Sequence, residues 1–185
     1  MEYVKDLPPE CVLRNHKIGE ISFPDGSCDV TDPAYNKKSK WALYDVKIPS
    51  GIYNVFIDET NFPLLFEDEG NFEAGEDIRI TSLTIIHKEY LTVFQEEAFE
   101  ERVLSEYISV DSGLCGFYNH KPNFRRDKDW DNFWTKLKKN ENDNTCDCGT
   151  GNGVTVSSGF GDGVYTVYEI KHNDNTIGLK LKFND

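Results

Sequence analysis

Residues Gly163 to Phe183 read GVYTVYEIKHNDNTIGLKLKF, and this stretch decides the fold. Val164, Thr166, Tyr168 and Ile170 fall on one face of a strand; past HNDNT, Ile177, Leu179, Leu181 and Phe183 alternate with Gly178, Lys180 and Lys182. A period of two residues marks a pleated strand with one face buried and one wet. Polar, turn-forming residues between two such runs predict an antiparallel hairpin.

Immediately upstream, VSSGFGDG packs Gly159, Phe160, Gly161, Asp162 and Gly163 into a candidate loop site. Alternating glycines can turn several amides toward one point and bind an anion, but Asp162 opposes an external phosphate there. The more economical reading makes Asp162 the acceptor for the loop's own amides, with Gly161 and Gly163 supplying φ angles denied to other residues.

Strand patterning continues toward the N-terminus. In IGEISFPDGSCDV, Ile21 and Phe23 alternate before Pro24-Asp25-Gly26, and Cys28 and Val30 follow, which predicts a hairpin. WALYDVKIPSGIYNVFI repeats the arrangement: Ala42, Tyr44, Val46 and Ile48, a Pro49-Ser50-Gly51 turn, then Tyr53, Val55 and Ile57. Asp77 to Phe94, rich in Ile, Leu, Thr and Val, suits one long strand or two with a bend. Before it, LFEDEGNFEAGED reads as an acidic loop; after it, Gln95 to Tyr107 has the composition of a short helix, and Tyr107 to Tyr118 returns to strand composition.

One helix is expected at about 128–139. Trp130, Phe133, Trp134 and Leu137 share a face, aspartates stand near the start and lysines near the end, so the aromatic stripe should lie against a sheet. Asn140 to Gly153 reads as a mobile surface loop carrying Cys146 and Cys148, a Cys-x-Cys without the spacing of a zinc or redox pair. The expected architecture for residues 1–185 is a single, mainly β domain: an antiparallel sandwich or strongly curved sheet with one major amphipathic helix.

Thirty-three acidic against 20 basic residues give a formal charge of −13. A field of that sign repels nucleic acid and anionic membranes and steers a basic protein partner. No apolar run is long enough for a membrane span, and MEYVKDLPPE lacks the basic start and apolar core of a signal peptide. A cytoplasmic protein is therefore expected, in which Cys11, Cys28, Cys115, Cys146 and Cys148 are free thiols. The acidic stretches around Glu67, Asp68 and Glu69, and around Glu96, Glu97, Glu100 and Glu101, are the candidate partner-binding surfaces. Cys115 with His87, His120 or His172 is the only nucleophile arrangement on offer, and a strand cysteine of the GLCGF type reads as a small buried hydrophobe. No catalytic fingerprint and no cofactor motif occurs.

The segments GEISFPDG, TDP, PSGIY, VDSG and SGFGDGVY, in order from Gly19 to Tyr165, resemble a bacterial domain family of unknown function with a closing Ser-Gly-x-Gly-Asp-Gly-x-Tyr signature. Phe160 stands where that family commonly has Trp, and the Cys-Asp-Cys segment lies outside its pattern. The resemblance implies an association with toxin genes, in which some members look like antidotes. It supplies no catalytic residue. Combined with the charge, it leads to the expectation of a non-catalytic binding protein, an immunity protein that blocks a basic toxin domain. The alternative is a metal-dependent or small-ligand-binding β domain, a hydrolase among the options, built on Asp32, Asp111 and Asp162, since clustered carboxylates hold Ca²⁺ or Mg²⁺ or act as an acid and base.

Overall fold

The structure is a computed structural model that describes residues 2–6, 16–35, 39–62, 64–68, 71–96, 98–120, 127–139, 144–148 and 152–183. The terminal hairpin forms: β13 (Gly163–His172) and β14 (Asn175–Lys182) pair antiparallel, with His172 opposite Asn175, but the face of β13 turned to the main core carries Tyr165 and Val167, while Val164 is exposed. Asn173 and Asp174 both take positive φ, +48° and +62°, the conformation of a two-residue turn whose twist matches the flanking strands. Ile177, Leu179 and Leu181 are fully buried, each worth about 1.5–3 kcal/mol relative to exposure.

Among the described residues fourteen strands, β1 to β14 in chain order, build three antiparallel sheets. β2 (His16–Phe23), β5 (Gly51–Asn61), β8 (Ile78–His87), β14, β13 and β9 (Glu100–Val110) form a six-stranded sheet in that order. β11 (Cys146–Cys148), β12 (Asn152–Ser157), β10 (Leu114–His120), β3 (Ser27–Thr31) and β4 (Leu43–Lys47) form a five-stranded one. Both contribute to one hydrophobic cluster, with Cys28, Val30, Cys115, Phe117, Val154 and Val156 from the five-stranded sheet meeting Tyr53, Val55, Leu83, Ile85, Leu179 and Leu181 from the other. The fold is thus an antiparallel β sandwich.

The two expected N-terminal hairpins are instead arches between sheets. The Pro24-Asp25-Gly26 turn carries the chain from β2 in one sheet to β3 in the other, and Pro49-Ser50-Gly51 carries it back from β4 to β5. The arches stack on each other: Phe23 pairs with Gly51, Ser27 with Lys47, and the Ile48 amide donates to the Gly26 carbonyl at 3.1 Å. Gly26 has φ +65°, and a Cβ there would sit 2.6 Å from the Ile48 oxygen, so no larger residue fits the crossing.

Four further expectations change. The strand expected over Asp77–Phe94 stops at His87; a 3₁₀ turn, Lys88–Tyr90, and the helix α1 (Leu91–Glu96) follow. Tyr90, Leu91 and Phe94 cover an apolar patch of Phe56, Ile86, Ile170 and Ile177, and this tertiary demand outweighs the local strand composition. The short helix expected over Gln95–Tyr107 is mostly β9, paired with β13. The acidic loop is a hairpin of β6 (Leu64–Asp68) and β7 (Asn71–Gly75), to which β1 (Glu2–Asp6) adds as a third strand. The surface loop of Asn140–Gly153 contains β11, whose Cys146 and Cys148 lie opposite Val156 and Val154 of β12.

The amphipathic helix is α2, Asp127–Lys136, but its aromatic stripe is divided. Phe133 is buried, whereas Trp134 is 47% exposed and stacks on Trp130 at 6.1 Å between ring centroids. The expectation that Trp134 is packed in the core is corrected accordingly: i and i+4 positions share a face, yet only the middle of the face is covered. Chemical denaturation should therefore rank the two residues. Phe133→Ala should cost about 3 kcal/mol, the value for truncating a buried aromatic, and Trp134→Ala less than about 1 kcal/mol.

Candidate functional site

The motif aspartates converge on one corner of the sandwich. Asp32 follows β3 directly and is fully buried. Its Oδ1 accepts from the Ala34 amide and the Ser112 hydroxyl, both at 2.7 Å, while Oδ2 accepts from the amides of Asp111 and Ser112, both at 2.8 Å. Four donors use up the lone-pair capacity of a carboxylate. Buried charge is tolerable here because every acceptor site is filled by a short, charge-assisted bond.

The Asp111–Gly113 turn that Asp32 grips leads from β9 in one sheet to β10 in the other. The glycine loop, which leads from β12 back to β13, holds the same turn from the other side. The Ser158 amide donates to the Gly113 carbonyl at 3.0 Å, and Asp162 Oδ1 accepts from the Gly113 amide at 3.1 Å. Asp162 is thus an acceptor, as expected, but it serves the neighbouring turn rather than the amides of its own loop. Gly159 has φ +63° and lies against β8, where a Cβ would come 2.0 Å from the Ile80 oxygen. The Ser158 and Tyr165 hydroxyls both donate to the Gly161 carbonyl. Phe160 meets Phe62 edge-on at 5.3 Å, with the Arg79 guanidinium 4.9 Å from its ring. Nearby, partial burial and the Asp111 carboxylate push the Tyr35 hydroxyl up to about 12, and that hydroxyl donates to Ser109 Oγ at 3.0 Å.

Asp32, Asp111 and Asp162 therefore share a turn without sharing a ligand position. Among the described residues, no group of three or more His, Cys, Asp or Glu side chains is arranged to hold a metal ion. Cys115 lies in the five-stranded sheet, while His87 and His172 belong to the six-stranded sheet and the side chain of His120 lies outside the described residues. Burial raises the thiol of Cys115 far above the ordinary cysteine range, which keeps it protonated and poorly nucleophilic. None of Cys28, Cys115, Cys146 and Cys148 forms a disulfide with another described residue, and Cys11 lies outside the described residues. The two thiols of the Cys-Asp-Cys segment are half-buried against the core, and burial first, then Asp147, pushes Cys148 up to about 12.

The acidic candidates lie elsewhere. Glu67 and Asp68 are on β6 and Glu96 ends α1, with side chains outside the described residues; Glu69 and Glu97 lie wholly outside them. Glu100 is exposed on β9. Glu101 is drawn inward by Lys180 at 3.0 Å and Lys182 at 3.8 Å, which leaves it less free to meet a partner.

Sequence reasoning missed the apolar half of this surface. β9 ends the six-stranded sheet, and it exposes Val103 at 49%, Leu104 and Tyr107 at 63%. At its far end the Ser109 amide donates to the Trp41 carbonyl at 3.0 Å, and Ser109 pairs with Val164; the side chains of both Trp41 and Val164 are about half exposed. Exposed large hydrophobics within an acidic segment were the available signal, masked by a composition that suits a helix.

Compared with protein-family models, curated proteins and solved structures, the chain matches none. No helix among the described residues is long and apolar enough to cross a membrane.

If the glycine loop is a clamp, its backbone conformation matters more than its carboxylate. Urea unfolding should show Gly159→Ala losing about 2 kcal/mol or more through strain and the clash with β8. Asp162→Ala, which removes a single exposed hydrogen bond, should lose only about 1 kcal/mol.

Proposed function

We propose that the protein is a non-catalytic binding protein that captures a basic protein partner, and that this partner is a toxin domain which it blocks as an immunity protein. The observation that carries the reading is β9: an edge strand that puts Glu100 and Glu106 beside solvent-exposed Val103, Leu104 and Tyr107. Between residues 96 and 106 five glutamates face one arginine, a local formal charge of −4 within a chain of −13. Charge of one sign speeds encounter with an oppositely charged protein, and exposed aromatic and branched side chains supply the desolvated contacts that hold it. The resemblance to a toxin-associated family gives the partner its class.

The alternative, a metal-dependent or small-ligand hydrolase using Asp32, Asp111 and Asp162, draws no support from the corner, where Asp32 already has four donors.

The test is to mix the protein with the product of the neighbouring gene and follow association by stopped flow. A complex should form at micromolar concentration, with an association rate that falls as salt rises. Glu100→Lys combined with Glu106→Lys should slow association about tenfold or more at low salt without changing the unfolding midpoint. No complex at micromolar concentration removes the reading.

A further inference from the structure

We infer that the Glu100–Leu104 segment of β9 is a strand-addition site, which takes an extended basic segment of a protein partner as a seventh strand of the six-stranded sheet. The inference rests on the binding reading above and specifies its mode.

The sandwich has four sheet edges in its two main layers, and they are treated differently. β11 is three residues long and β4 five, too short to template much. β2 has eight residues, but β11 packs onto it: a Cβ on Gly19 would lie 3.0 Å from that of Cys148. β9 has eleven residues and no strand beyond it in the sheet order. Its Val110 end is occupied, since the Ser109 amide bonds Trp41. Toward its Glu100 end no described strand pairs with its outer side, and Glu100, Arg102, Val103 and Leu104 are all exposed.

Register narrows the site. β9 shifts register twice against β13, between Tyr165 and Val167 and again between Val167 and Tyr168, so the half nearer Val110 is bulged and twisted. From Val103 back to Glu100 the pairing is regular, against Tyr168, Glu169, Ile170 and Lys171. A regular strand paired on one side offers outward amides and carbonyls at ladder spacing on the other.

Charge selects the occupant. Acidic edge residues are a known device against edge-to-edge aggregation, and they set two copies of this chain against each other. A protective device alone would not expose Val103, Leu104 and Tyr107 beside the charges. The combination repels the self strand and admits one that alternates cationic and apolar residues, matching Glu100 and Glu106 with charge and Val103 and Leu104 with apolar contact.

The probe is a labelled eight-residue peptide alternating Lys and Val, added to the full chain and followed by fluorescence anisotropy and amide hydrogen exchange. The expected result is saturable binding with a Kd of about 100 μM or tighter, together with slowed exchange confined to amides in 100–104. A second peptide, N-methylated at alternate residues so that it keeps charge and side chains but loses the ladder donors, should bind at least about tenfold more weakly. Glu100→Lys should weaken the unmethylated peptide. Equal binding of the two peptides, or binding without protection of 100–104, overturns strand addition while leaving charge-driven capture intact. Absence of binding by either peptide at millimolar concentration also overturns it, whereas failure of the neighbouring gene product to bind would remove the broader reading separately.

Discussion

The carboxylate of Asp32 is the constraint on which the rest depends. A sandwich whose strands change sheets must turn the chain through the space between layers, where backbone groups leave their ladders and still need partners. At this corner one buried side chain fills that need for a turn 79 residues away, binding the amides of Asp111 and Ser112 and the Ser112 hydroxyl. The glycine loop then closes on the same turn through Ser158 and Asp162. Two crossings between sheets, β9 to β10 and β12 to β13, are thereby tied to the end of β3.

This arrangement separates the residues that hold the corners from those exposed on the sheet edge. The residues that stand out in the sequence, the glycines and the paired motif aspartates, are used to hold corners, and their polar atoms are largely spent within the fold. The groups that the proposed binding role would use lie on β9, where acidic and apolar side chains are exposed along a strand with no further strand beside it among the described residues. A rigid corner serves that edge directly, because the Val110 end of β9 runs into the clamped turn. Ser109 is held by Tyr35 and by Trp41, which fixes where the exposed half of the strand begins.

How far the sequence discloses this depends on what each signal is made of. The pairing of the terminal hairpin was legible because the alternation of β14 and the Asn173-Asp174 turn are both local properties, but the core face of β13 was not: Tyr165 and Val167 join the main core, while Val164 is exposed. The arches at Pro24–Gly26 and Pro49–Gly51 were legible as turns between strands but not as crossings: alternation, turn, alternation is the same string whether the second strand pairs with the first or joins the opposite layer. Leu91–Phe94 and Glu100–Tyr107 exchanged their expected conformations for a related reason. The first is helical because Leu91 and Phe94 must cover Phe56 and Ile86; the second is extended because β13 supplies its hydrogen bonds. Neither partner is visible within a local window. At the corner, the aspartates were identified as important by their motifs, but the number of donors around Asp32 is a property of three chain segments together.

Asp32 is a structural clamp whose carboxylate is fully engaged inside the fold. Equilibrium unfolding of Asp32→Asn tests it most directly, since the substitution keeps the shape and turns an amide NH₂ or a weaker carbonyl toward donors that face a carboxylate. The variant should lose on the order of 3 kcal/mol or more, with the four hydrogen bonds unable to re-form together. A variant as stable as the original chain would contradict it, because the buried carboxylate would then be dispensable to the fold.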